Sequence, residues 1–232
     1  MPTFSRKRAI LIGADKYRRF ASLDYSGKDV RDISKAFRDS LQFRDEDILE
    51  FTVESQLKPE RTEILHNIGE FLKGPMKEDE LLVFFFSGHG MIDEKNKKDF
   101  LLPIDASPNA LTDTGLDVKT IADTLGNTGC ANIVMFIDAC REEVRDPNGA
   151  KSPIDTTGAK SVGHFSEDVV KRDGMVTFFS CAPQDRSYEI ADLKNGSFTH
   201  CLLKAIASGE CSTVEQVDNY LRSSVPPLEH SI

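Results

Sequence analysis

Two apolar runs, each ending in a polar tetrad, constrain this chain more than any other feature. Leu81-Leu82-Val83-Phe84-Phe85-Phe86 leads into Ser87-Gly88-His89-Gly90, and Asn132-Ile133-Val134-Met135-Phe136-Ile137 leads into Asp138-Ala139-Cys140-Arg141. Short, wholly apolar runs that stop at such residues read as buried strands of a parallel sheet. In open α/β sheets ligands bind beyond the carboxyl ends of the strands, so this pattern puts an imidazole and a thiol on one rim. If the two strands are neighbours they lie about 5 Å apart, close enough for a Cys–His pair.

The rest of the chain alternates strand and helix patterns. Arg8 to Gly13 reads as a first buried strand, followed by a polar loop to Tyr25. Val30, Ile33, Phe37 and Leu41 recur at helical spacing, and Ser26 with Asp29 fits a capping box at that helix's start. Positions 47–53 alternate as an edge strand does, and Ile64 to Leu72 marks a second helix that Gly74-Pro75 ends. The Pro103 segment is expected off the central sheet. Val118, Ile121 and Leu125 predict a short helix, and Met175 to Cys181 another buried strand. Two helices follow, the last opened by a second capping box at Ser212 and Glu215. The order predicts an α/β fold, a three-layer α/β/α sandwich with a mainly parallel central sheet. Residues 141–173 break the pattern, with Pro147, Pro153, Gly149, Gly158 and Gly163 and no periodicity. A loop of that length is usually functional, and it is expected to be mobile and a site of self-cleavage. One domain is expected over 1–225, with 226–232 a tail or the start of a linker.

Composition excludes several functions. A formal charge of −9 gives no basic footprint for nucleic acid, whereas it tolerates a basic peptide. The five cysteines are odd in number, and Cys181 and Cys201 fall in apolar patterns, which favours a reducing compartment over a disulfide framework. No apolar stretch follows the charged start as in a signal peptide, and none approaches a membrane span. A cytoplasmic protein without membrane contact is expected.

Cys140 is the candidate nucleophile and His89 the candidate acid/base. A thiol becomes reactive when a neighbouring imidazole takes its proton, and the same imidazole can protonate a leaving amine. The plain alternative for a free Cys is a small buried hydrophobe. Its place at a strand end, between Asp138 and Arg141 and paired with a Gly-His-Gly turn, argues against that reading. Cys140 follows His89 by 51 positions, and the caspase signature carries its His about 50 residues upstream of the Cys. Phe86-Ser87-Gly88-His89-Gly90 and Asp138-Ala139-Cys140-Arg141 resemble the two catalytic motifs of caspase-like cysteine peptidases, a clan of caspases, metacaspases and paracaspases. The resemblance covers nearly the whole chain and is closest in pattern to paracaspase-type and prokaryotic caspase homologues.

The resemblance implies a cysteine endopeptidase that works through a thioester acyl-enzyme without a cofactor or catalytic metal, its oxyanion held by the Gly90 and Cys140 N–H groups. Three acids bear on specificity. Asp138 sits two before Cys140, Asp29 opens the first helix on the same rim, and Glu189 follows the strand that ends at Cys181. Each has a plainer reading, as a helix cap, a loop support or a solvated strand residue. Paracaspases and metacaspases resemble the chain at these positions, where such acids line the pocket for a basic P1 side chain; caspases proper use arginines and select Asp. The usual Gly-containing motif after the nucleophile is absent, and Glu142 and Glu143 stand there instead. Many metacaspases need calcium, but Asp146, Asp155, Glu167, Asp168 and Asp173 lack a calcium-loop spacing. The expected partner is a protein or peptide substrate with a basic P1, with an activating protein or a homodimer left open. The rival reading is a non-catalytic scaffold or interaction module with a caspase-like fold.

Overall fold

The structure, a computed structural model, describes residues 3–93, 98–140, 174–180, 189–190 and 193–229. Strand β3 (Leu81–Asp93) is its axis. Along β3, Leu82, Phe84 and Phe86 enter one apolar cluster while Val83 and Phe85 enter another. This is the two-residue period of a strand buried on both faces. Burying each of these phenylalanines contributes about 1.5–3 kcal/mol, and all three are inaccessible to solvent.

Strands β1 (Lys7–Gly13), β2 (Ile48–Phe51), β6 (Asn132–Cys140) and β7 (Met175–Phe179) join β3 in the parallel order β2-β1-β3-β6-β7. Helix α2 (Arg61–Phe71) and helix α3 (Val118–Gly126) cover the face bearing Phe84, through Ile64, Ile68, Ile121 and Leu125. Helices α1 (Ser26–Asp39), α4 (Ser197–Ser208) and α5 (Val214–Glu229) cover the other, through Val30, Ile33, Phe37, Phe198, Leu202, Leu221 and Val225. The result is the α/β/α layering that the sequence order implies. The last helix runs past position 226 to Glu229.

Several local expectations are corrected. Neither central strand stops at its tetrad. β3 runs through Ser87–Gly90 to Asp93 because β6 pairs with it as far as His89 and β4 (Lys98–Leu101) pairs antiparallel from Gly90 onward. Gly-His-Gly is therefore strand, not turn. β4, with β5 (Leu116–Asp117), extends the sheet, and Pro103 lies beyond its last rung. β7 is an edge strand among the described residues, with Val176 39% exposed. The box at Ser26 does not form: Tyr25 is the N-cap residue, and the Gly27 N–H bonds instead to Asp15 Oδ2 at 3.3 Å. At α5 the box is shifted by one residue, with Thr213 Oγ1 accepting from Gln216 N and Gln216 Oε1 accepting from Thr213 N. The segment 141–173 and the calcium-type acids within it lie outside the described residues.

Candidate active site

His89 and Cys140 are direct partners in the β3–β6 register, on adjacent strands about 4.8 Å apart. They form the last rung of the parallel ladder between β3 and β6. The two residues singled out from separate tetrads are thus neighbours in register, one rung beyond the pair Gly88 and Ala139.

His89 is 1% exposed. Its Nε2 lies 2.9 Å from the Ala21 carbonyl oxygen, which only accepts, so Nε2 carries the proton. Nδ1 is buried and has no hydrogen-bond partner among the described residues. In this tautomer the Nδ1 lone pair is left to receive a proton, the state a general base needs. Tyr17 packs against the ring at 4.7 Å between centroids and Phe20 at 6.4 Å. Gly90 follows in β3 opposite Leu101, and a Cβ added to it would stand 3.2 Å from the Ala139 Cβ.

Two of the three acids meet at one glycine, and the third stands across from it in a strand pair. β8 (Glu189–Ile190) pairs with β9 (Asn195–Gly196), so Glu189 stands opposite Gly196 in register. A Cβ on Gly196 would lie 2.7 Å from Asp138 Oδ2 and 3.4 Å from Asp29 Oδ2. A side chain at Gly196 would force the Asp138 carboxylate to shift, whereas its distance to Asp29 is ordinary van der Waals contact. Both carboxyl groups are covered, with Asp29 2% and Asp138 3% exposed. Asp29 Oδ2 accepts from Ser87 Oγ at 2.9 Å, and its Oδ1 accepts from Asn195 Nδ2 at 2.9 Å and from the Gly196 N–H at 3.2 Å. Asp138 Oδ2 accepts from Thr199 Oγ1 at 2.7 Å and from the Thr199 N–H at 3.3 Å. The Thr199 N–H is one of the donors that the first turn of α4 leaves unpaired.

Burial first, and the Asp138 charge second, push the Asp29 carboxyl up to about 8, against the pull of its donors. Near neutral pH the pair therefore holds a proton, which belongs to both carboxyls together. The plain reading of Asp29 as a helix cap is set aside, since its oxygens face β3 and β9.

Sequence reasoning missed Ala21, Tyr17, Asn195 and Thr199. A backbone carbonyl leaves no residue-type signal, so Ala21 was not legible. Thr199 was open to detection, being a buried hydroxyl two residues into an apolar helical pattern. Among the described residues no group of three His, Cys, Asp or Glu is placed to hold a metal. No helix there is long and apolar enough to cross a membrane.

A sequence profile of the caspase domain matches residues 6–231. No curated protein sequence matches the chain. Among solved structures, the protein GSU0716 from Geobacter sulfurreducens superposes with a TM-score of 0.63 at 16% identity, over 93% of this chain and 88% of that one. At that identity the likeness speaks for the fold alone, whereas the profile match spans nearly the whole sequence. The chain belongs to the caspase-domain family, a family of cysteine peptidases.

Proposed function

We propose that the chain is a cysteine endopeptidase that cleaves proteins after Arg, and less well after Lys. The observation that carries this reading is the pairing of His89 with Cys140 at the sheet rim, with His89 Nδ1 buried and unpartnered among the described residues. His89 Nδ1 takes the Cys140 thiol proton, and the thiolate adds to the scissile carbonyl. The Gly90 and Cys140 N–H groups hold the oxyanion. The imidazolium then gives its proton to the leaving amine as the C–N bond breaks, leaving a thioester. Water, deprotonated by His89, hydrolyses that thioester and restores the thiol.

The acid pair at Gly196 supports the basic P1. A guanidinium presents five donors in a rigid fork and meets carboxylates bidentately, whereas an ammonium is a point charge. A cation entering beside Asp29 and Asp138 displaces the proton they hold. Glu189, whose backbone stands opposite Gly196 in register, is the third acid proposed for the P1 cation. A P1 aspartate would face like charges and be rejected.

The test is kcat/KM on matched peptides with Arg, Lys, Asp or Ala at P1, using the native protein beside Cys140→Ala. Turnover of the Arg peptide first and the Lys peptide second, lost in Cys140→Ala, is the expected result. A preference for Asp, or turnover surviving in a folded Cys140→Ala protein, would overturn the reading.

A further inference from the structure

We propose that Tyr17 is a positioning residue for His89, its hydroxyl fixing the histidine's main chain so that Nδ1 stays aimed for proton transfer. This rests on the His89–Cys140 reading above.

The sheet leaves His89 in an interval between two ladders. β1 pairs with β3 only as far as Ser87, and β4 pairs from Gly90 onward. The His89 carbonyl is taken by the Leu102 N–H at 2.9 Å. The His89 N–H has neither strand opposite it, and a buried N–H needs an acceptor. Tyr17 supplies one: its hydroxyl oxygen accepts from the His89 N–H at 2.8 Å, from 72 positions away, and Tyr17 is itself 8% exposed.

Gly88 is explained by the same contact. A Cβ on Gly88 would fall 2.6 Å from the Tyr17 hydroxyl oxygen. In the structure the space a side chain would occupy is filled by Tyr17.

The segment that carries Tyr17 is closed on itself and tied to the sheet. Leu23 N–H bonds to the Asp15 carbonyl, Ala14 N–H to the Ser87 carbonyl and Arg18 N–H to the Ile104 carbonyl, each at 2.9 Å. Asp15 Oδ2 accepts from the first turn of α1. The same segment presents the Ala21 carbonyl to Nε2. One anchored loop thus grips His89 at its main-chain nitrogen and at the far ring nitrogen, leaving only Nδ1 open. An error of about 1 Å in a reacting group can cost a hundredfold in rate.

The experiment compares the native protein with Tyr17→Phe and Gly88→Ala on an Arg-P1 peptide, and reads the His89 imidazole nitrogens by NMR in each. Tyr17→Phe keeps the ring and loses only the hydroxyl. Gly88→Ala keeps Tyr17 but puts a methyl where its hydroxyl sits, and gives a second route if Tyr17→Phe does not fold. The expected result for both is a kcat lower by about ten- to a hundredfold with KM changed less than about twofold. The His89 nitrogens should move from the Nε2-protonated tautomer towards averaging between tautomers. A kcat within about twofold of native in a folded variant would overturn the proposal. So would a loss of rate with unchanged imidazole resonances, which marks a structural role only. If the native protein turns over no peptide, the peptidase reading fails separately, and the imidazole resonances alone decide whether Tyr17 positions His89.

Discussion

The Asp29–Asp138 pair makes a sharp thermodynamic prediction. Asp29 moves from its ordinary 3.8 to about 8 in the folded chain, chiefly through burial. Between those values the folded state keeps a proton that the unfolded state has released. Stability from this group is therefore fully present below about pH 4 and is lost as pH rises through about 8. One proton of difference corresponds to about 1.4 kcal/mol per pH unit. Asp29→Asn removes that dependence while preserving the contacts. Its Oδ1 can accept from Asn195 and Gly196, and its Nδ2 can donate to Ser87 Oγ, a hydroxyl able to reverse its role. The assay is urea unfolding at pH 5, 6 and 7 of Asp29→Asn and its parent, both carrying Cys140→Ala to prevent self-cleavage. Other groups titrate alike in both proteins, so the difference isolates the pair. The variant should gain on its parent by about 1.4 kcal/mol per unit of rising pH. A difference constant within about 0.5 kcal/mol across the window would refute the shared proton.

Two further predictions concern the same acid pair. Asp138→Asn should lower kcat/KM on an Arg-P1 peptide by about tenfold to more than a hundredfold, since a charge-assisted bond contributes about 1.5–3 kcal/mol, and should change an Ala-P1 peptide little; equal losses on both peptides would count against a P1 role. Thr199→Val removes the hydroxyl that holds Asp138 Oδ2 at 2.7 Å and should lower kcat/KM for Arg by about three- to tenfold with the fold intact by circular dichroism.

Where apolar pattern sets structure, the sequence was readable. Leu82, Phe84 and Phe86 against Val83 and Phe85 already encode a central strand covered on both faces, and the α/β/α layering follows. The nearness of His89 and Cys140 along the sheet was readable too, because both follow apolar runs and neighbouring parallel strands share a rim. What escaped was set by tertiary partners. Gly-His-Gly looks like a turn, yet becomes strand because β6 and β4 both bond to it. Asp29 looks like half of a capping box, yet its oxygens are claimed by Ser87, Asn195 and Gly196 from distant segments. The box at α5 was misplaced by one residue because Ser212 and Thr213 carry the same capping chemistry and Gln216 serves as well as Glu215. The convergence of Asp29 and Asp138 depends on Gly196, whose missing side chain gives no local sign of what fills its place.

The most direct test of the central claim is covalent trapping. The protein is exposed to a peptidyl-Arg chloromethyl ketone or its Asp counterpart, and the modified residue is mapped by mass spectrometry. A basic-P1 cysteine peptidase with this dyad should carry one adduct, on Cys140. The adduct should form rapidly with the Arg reagent, slowly or not at all with the Asp reagent, and far more slowly in His89→Ala. Labelling that falls on another cysteine, or that reaches Cys140 equally fast with both reagents and without regard to His89, would contradict it.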